Sequence, residues 1–112
     1  MIDLPVQRFE APDGVSLAYR ELGEGRSLLL LHGFISTSVL NWLRWGTAEA
    51  IAQRGHRVVM LDHRAHGDSE APRDPASYPP DILADDALAL LEHLGIEGDY
   101  DLGGYSLGGR TV

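Results

Sequence analysis

The sequence contains no cysteine. A disulfide framework and a thiolate metal site are therefore excluded, and the composition fits a cytoplasmic protein. No apolar run approaches the roughly 20 residues that cross a bilayer. The N-terminus, Met1-Ile2-Asp3-Leu4-Pro5, lacks a basic segment followed by an apolar core, so no signal peptide is visible. Positive charge is scarce as well: 9 basic side chains face 17 acidic ones, for a net charge of −8. Such a chain repels phosphate backbones and anionic lipid surfaces, so neither nucleic acid nor a membrane is an expected partner. The remainder is ordinary for a soluble globular protein, with 44% hydrophobic and 23% charged residues. A chain of 112 residues makes at most one small domain. Repeats, linkers and low-complexity stretches are absent, and nothing specifies an oligomeric state.

The patterning predicts an α/β arrangement. Residues 6–10 and 15–21 alternate apolar and polar side chains around Pro12-Asp13-Gly14, which reads as an antiparallel hairpin. Residues 28–31, four leucines between Gly25 and Gly33, read as a strand buried on both faces. Apolar residues at helical spacing predict a helix over 40–53, ended by Gly55. Residues 57–61 read as another buried strand, followed by a polar loop over 62–77. Pro79-Pro80-Asp81 opens a second helix, with Asp81 and Asp85 near its positive end. That helix runs to Leu94, buries Leu83, Ala87, Leu90, Leu91 and Leu94, and stops at Gly95. Residues 100–103 form the last strand. The order β-β-β-α-β-α-β implies parallel units after the hairpin.

Three motifs stand at strand ends, where open α/β sheets bind ligands. His32-Gly33-Phe34 follows the leucine strand. Asp62-His63-Arg64-Ala65-His66-Gly67-Asp68-Ser69 follows the next. Gly104-Tyr105-Ser106-Leu107-Gly108, a G-x-S-x-G sequence, follows the last. Such a pentapeptide between strand and helix forms a nucleophile elbow: the serine takes a strained conformation, and small residues on either side relieve the crowding.

In these motifs, across residues 4–112, the chain resembles the N-terminal part of an α/β-hydrolase of the esterase, lipase and peroxidase-like branch. Residues 1–112 would be one portion of a single such domain. His32-Gly33-Phe34 looks like the family's H-G-x motif. Asp62 to Ser69 looks like its D-x-R-G-x-G-x-S turn, with Ala65 in place of the first glycine, which suggests a slightly different turn. The resemblance implies Ser106 as nucleophile, with the backbone N–H groups of Phe34 and Leu107 as the oxyanion hole. His32 and Gly33 would support the first donor and Gly104 and Gly108 the elbow. The substrate would be a small acyl compound or ester, and neither a metal nor an organic cofactor is implied. Serine in place of aspartate at the tip sets the chain apart from the dehalogenase and epoxide hydrolase branches, which use a carboxylate. It does not separate esterases from C–C hydrolases, acyltransferases or cofactor-free perhydrolases.

In this family the triad acid and histidine follow the serine in the chain. All five histidines here precede Ser106. The expectation is a serine hydrolase whose acid and histidine lie beyond Val112, in a family whose members run to roughly twice this length or more. The alternatives are a non-catalytic product or binding module that keeps the first half of the fold, and assembly with a separate chain supplying the missing groups.

Other residues carry competing readings. His63 and His66 with Asp62 and Asp68 have spacing for metal ligands, while Asp62 and Arg64 with the small Ala65 and Gly67 equally suit a hydrogen-bonded turn. His56 and His93, beside helix ends, read as solvated surface. Phe34 reads as oxyanion donor, as an apolar lid, or both. Tyr105 lines the pocket or packs, and Phe34, Trp42, Trp45 and Tyr105 hint at an apolar acyl site.

Overall fold

The computed structural model describes residues 2–112. The backbone runs β1 (Gln7–Glu10), β2 (Ser16–Leu22), β3 (Arg26–Leu31), a π-type turn (Val39–Leu43) and α1 (Thr47–Ala52). It continues through β4 (His56–Leu61), a 3-10 turn (Pro75–Ser77), α2 (Ile82–His93), β5 (Asp101–Gly104) and α3 (Leu107–Thr111). The strands form one sheet in the order β1-β2-β4-β3-β5. The β1–β2 hairpin is antiparallel, β2 lies antiparallel to β4, and β4, β3 and β5 are parallel.

The chain skips a place between β2 and β3, and glycine makes that possible. Gly23 and Gly25 hold φ of 88° and 115° in the connecting turn. A Cβ on Gly25 would fall on the Gly55 carbonyl, and one on Gly23 would fall on the His56 carbonyl. The turn therefore presses onto the start of β4, and only residues without a side chain allow that approach.

Alternation along the inner strands sends side chains into two cores. Leu17, Tyr19, Leu29, Leu31, Val59 and Leu61 pack with Ala87, Leu90 and Leu91 of α2. Leu30, Val58 and Met60 pack on the opposite face with Leu43 and Ala48. Burying each large apolar side chain stabilises by about 1.5–3 kcal/mol, which is why these strands carry no polar alternation.

Three elements depart from the sequence-based expectations. The helix over 40–53 is two pieces, because Gly46 sits at φ 77° and starts α1 afresh. Before it, the Arg44 N–H bonds the Val39 carbonyl five residues back, at 2.8 Å. The second helix begins at Ile82 rather than at the prolines: Asp81 is left-handed at φ 65°, a conformation that cannot continue a helix. Leu83 and Leu94 are only half-buried, while Asp86 on the same helix is buried. The last strand is shifted by one residue, to Asp101–Gly104. Its pairing is with β3 alone, leaving the other edge free among the described residues. Leu88, Leu102 and Val112 are exposed on these flanking elements.

Candidate active site

Strand register brings the three motifs to one level. Leu31 pairs with Leu61 of β4 on one side and with Gly104 of β5 on the other. His32, Asp62 and the Tyr105–Ser106 turn therefore leave the sheet together, and the Tyr105 N–H donates to the Leu31 carbonyl at 3.1 Å.

Ser106 is the N-cap of α3 at φ 54°, ψ −110°. This is a sparsely populated conformation for a side chain-bearing residue, costing on the order of 1–3 kcal/mol and held only by tight surroundings. Those surroundings are glycines. A Cβ on Gly104 would strike the backbone of Gly108 and Gly109, and one on Gly108 would strike the Leu31 and His32 carbonyls. Ser106 is exposed at the tip, and its hydroxyl has no hydrogen-bond partner among the described residues. The Leu107 N–H is the first amide of α3, which has no carbonyl one turn earlier to accept it.

The loop after β3 lies against this tip. A Cβ on Gly33 would stand 3.2 Å from the Tyr105 ring and 3.6 Å from Ser106 Cβ. Its peptide groups are pinned: the Gly33 N–H donates to Asn41 Oδ1 at 2.8 Å, and the Gly33 carbonyl accepts from His32 Nδ1 at 2.7 Å. His32 Nε2 in turn accepts the His63 N–H at 3.0 Å, which assigns the proton to Nδ1. The Ile35 N–H donates to His66 Nε2 at 3.0 Å. The Phe34 N–H between them has no partner among the described residues. His32 thus links the loop after β3 to the backbone of the loop after β4. Burial pushes the His32 imidazole down from its ordinary pKa.

The loop after β4 is a scaffold of hydrogen bonds. Asp62 accepts the Ser38 N–H at 2.9 Å and the Asp68 N–H at 3.1 Å, while Ser69 Oγ bridges the Asp62 carbonyl and the Ala18 N–H. Asp62 therefore serves the turn. Ala65 sits in the left-handed region at φ 69°, a conformation that glycine adopts without a Cβ penalty. The Arg64 side chain leaves the turn: it bonds Asp86 through two 2.7 Å contacts, then Asp13 and the Ser77 carbonyl. That buried pair, with the guanidinium held charged by the Asp86 carboxylate, ties the loop to α2 and the hairpin. His63 is fully buried, and burial, reinforced by neighbouring His32, pushes its pKa down to about 4.

The remaining readings separate cleanly. Phe34 stands 68% exposed with its ring in an edge-to-face contact with His66, and Tyr105 is 62% exposed against Gly33, next to Ser106; neither packs in a core. Trp42 packs against the second core, and Trp45 is exposed beside Gly46. His93 is exposed with its ring stacked on Phe9, whereas His56 is half-buried as the first residue of β4 rather than solvated. Asn41 and Asp86 carry no sequence signal beyond their polarity; Arg64 had one, which pointed to the turn rather than to Asp86, and His66 had one, its spacing from Asp62, which pointed to a metal.

Residues 26–112 match the alpha/beta hydrolase fold family, and the chain belongs to it. The chain is 40% identical over 86 residues to an epoxide hydrolase of Caballeronia sordidicola, covering 77% of this chain and 25% of that protein. It is 34% identical over 84 residues to bifunctional epoxide hydrolase 2 of Mus musculus, covering 74% and 14%. It is 35% identical over 101 residues to non-heme chloroperoxidase CPO-A1 of Kitasatospora aureofaciens, covering 89% and 34%. The crystal structure of epoxide hydrolase VrEH1 from Vigna radiata superimposes with a TM-score of 0.82 at 33% identity, over 96% of this chain and 33% of that one. The chain thus spans about a third or less of the length of these relatives. Among the described residues, no helix is long and apolar enough to cross a membrane.

Proposed function

We propose that this chain carries the nucleophile and oxyanion half of a serine hydrolase that cleaves a carboxylic ester. The observation that supports it best is Ser106 itself, a hydroxyl at φ 54° on the tip of the β5–α3 turn, facing a loop with an uncommitted N–H. Ser106 Oγ adds to the ester carbonyl carbon and gives its proton to a histidine. The resulting oxyanion takes hydrogen bonds from the Phe34 and Leu107 N–H groups. Collapse breaks the C–O bond, and the alcohol leaves with the proton returned by that histidine. Water then repeats the addition on the acyl-enzyme and frees the acid and Ser106. The histidine and its orienting acid come from residues outside this chain. On this reading the substrate is a small ester, the net charge of −8 disfavours nucleic acid and anionic membranes as partners, and the absence of cysteine suits a cytoplasmic setting.

Several relatives are named epoxide hydrolases. Ser106 favours the ester over the epoxide, because a tip without a carboxylate lacks the nucleophile that the epoxide hydrolase branch uses. The complete protein carrying this chain, assayed against 4-nitrophenyl butyrate and styrene oxide, should hydrolyse the first and lose that activity in Ser106→Ala. Turnover of styrene oxide alone, surviving Ser106→Ala, would reverse the assignment. No turnover of any ester would leave the non-catalytic reading in place.

A further inference from the structure

We infer that His66 is a positioning residue for the oxyanion loop, holding the Phe34 N–H in place through its bond to the next amide. This inference rests on the ester-hydrolase reading above. Ile35 sits at φ 53°, left-handed, which is a marked outlier for a β-branched residue. Its side chain is 79% exposed, so core packing does not hold it there. What does is His66: Nε2 accepts the Ile35 N–H at 3.0 Å.

His66 is itself fixed as an acceptor. Its Nδ1 lies 3.0 Å from the Arg64 carbonyl, to which only a protonated nitrogen can bond, so in the neutral ring the Nε2 lone pair is left for Ile35. Arg64 is anchored in turn by Asp86, Asp13 and the Ser77 carbonyl. The His66 ring stands edge-on to Phe34, 5.8 Å between centroids, and 5.1 Å from His32, which braces the other side of the loop. Of the three successive amides of 33–35, the outer two are thereby committed, to Asn41 and to His66. The middle one, of Phe34, is left to a ligand.

Two substitutions divide the bonds of His66. In His66→Gln the side-chain oxygen reaches the place of Nε2, so the acceptor for Ile35 survives and the Arg64 link is lost. In His66→Asn the amide nitrogen reaches the place of Nδ1, so the Arg64 link survives and Ile35 loses its acceptor. Amide hydrogen exchange of residues 33–36 and the kinetics of 4-nitrophenyl butyrate hydrolysis are measured in the complete protein. In His66→Asn we expect Ile35 to exchange faster by about an order of magnitude. We expect its kcat to fall at least about tenfold at nearly unchanged KM, below the roughly 100- to 1000-fold loss of an oxyanion donor itself. His66→Gln should keep wild-type protection at Ile35 and most of the kcat.

Wild-type exchange and kcat in His66→Asn would overturn the inference, as would equal losses in both variants, the mark of a merely structural role. If the wild type hydrolyses no ester, the function proposed above fails. The exchange contrast between the two variants then still decides whether His66 holds the loop.

Discussion

Gly108→Ala tests how closely the elbow must press on the end of β3. The added Cβ would stand 2.7 Å from the His32 carbonyl oxygen and closer still to that of Leu31. Carbon–oxygen contacts settle at about 3.3–3.6 Å, and the closer Leu31 contact sets the distance, so α3 must withdraw from β3 by roughly 1.5 Å. The carbonyls cannot yield instead, because Leu31 accepts the Tyr105 N–H and His32 faces His63 Nε2, each at 3.1 Å. Overpacking of this kind costs about 1–3 kcal/mol. Alanine is the better helix former by about 1 kcal/mol, which offsets part of that loss. Ser106 and the Leu107 N–H move with α3, away from the Phe34 loop. A misplacement of about 1 Å at a reacting group costs about 100-fold in rate. The assay is ester hydrolysis by the complete protein alongside its urea unfolding midpoint. Gly109→Ala serves as the control, since its nearest contact is the Gly104 oxygen at 3.3 Å, where a small adjustment suffices. If Gly108→Ala behaves like Gly109→Ala in both assays, the close approach of α3 to β3 is not what shapes the elbow.

Three further outcomes are expected. His63 is neutral in the fold, with its pKa down at about 4 against 6.5 when free, so the unfolded chain takes up a proton that the folded one refuses. Stability should therefore fall as pH drops from about 6.5 to about 4, by on the order of 3 kcal/mol, and the slope should flatten in His63→Gln; an unchanged slope would refute the assignment. Ala65→Gly should raise stability by about 0.5–1 kcal/mol in urea titration, because glycine takes the left-handed conformation without the Cβ penalty and gives back part of the gain as chain entropy. Residues 1–112 expressed alone should aggregate or unfold without a sharp thermal transition, since β5 presents a free edge beside exposed Leu88, Leu102 and Val112; a monodisperse sample with a cooperative transition would contradict this.

The features legible in the sequence are those with a local cause. Four successive leucines have no polar alternation, so their strand had to be buried on both faces, and Leu28–Leu31 is indeed covered from both sides. The elbow was legible because its five residues are contiguous and Gly104 answers a demand from the neighbouring Gly108–Gly109 backbone, although Gly108 itself meets the distant Leu31 and His32 carbonyls. What stayed hidden depends on contacts far apart in the chain. The insertion of β4 between β2 and β3 follows from the Gly23–Gly25 turn crossing Gly55 and His56, which no periodicity announces. Arg64 and Asp86 are 22 positions apart; Arg64 read as a residue of the turn after β4 and Asp86 as a charged helix position, and only together do they form a buried pair. His66 drew attention for its spacing from Asp62, but its partner, the Ile35 amide, lies 31 residues earlier. The break at Gly46 was signalled by the glycine itself, yet the apolar spacing on either side continues through it.

The central claim is that Ser106 is an activated nucleophile. Its most direct test is to treat the complete protein with a fluorophosphonate and map the adduct by peptide mass spectrometry. The account predicts stoichiometric phosphonylation on the peptide containing Ser106, abolished in Ser106→Ala. An unmodified Ser106 in a folded protein, or label carried by another residue, would contradict it.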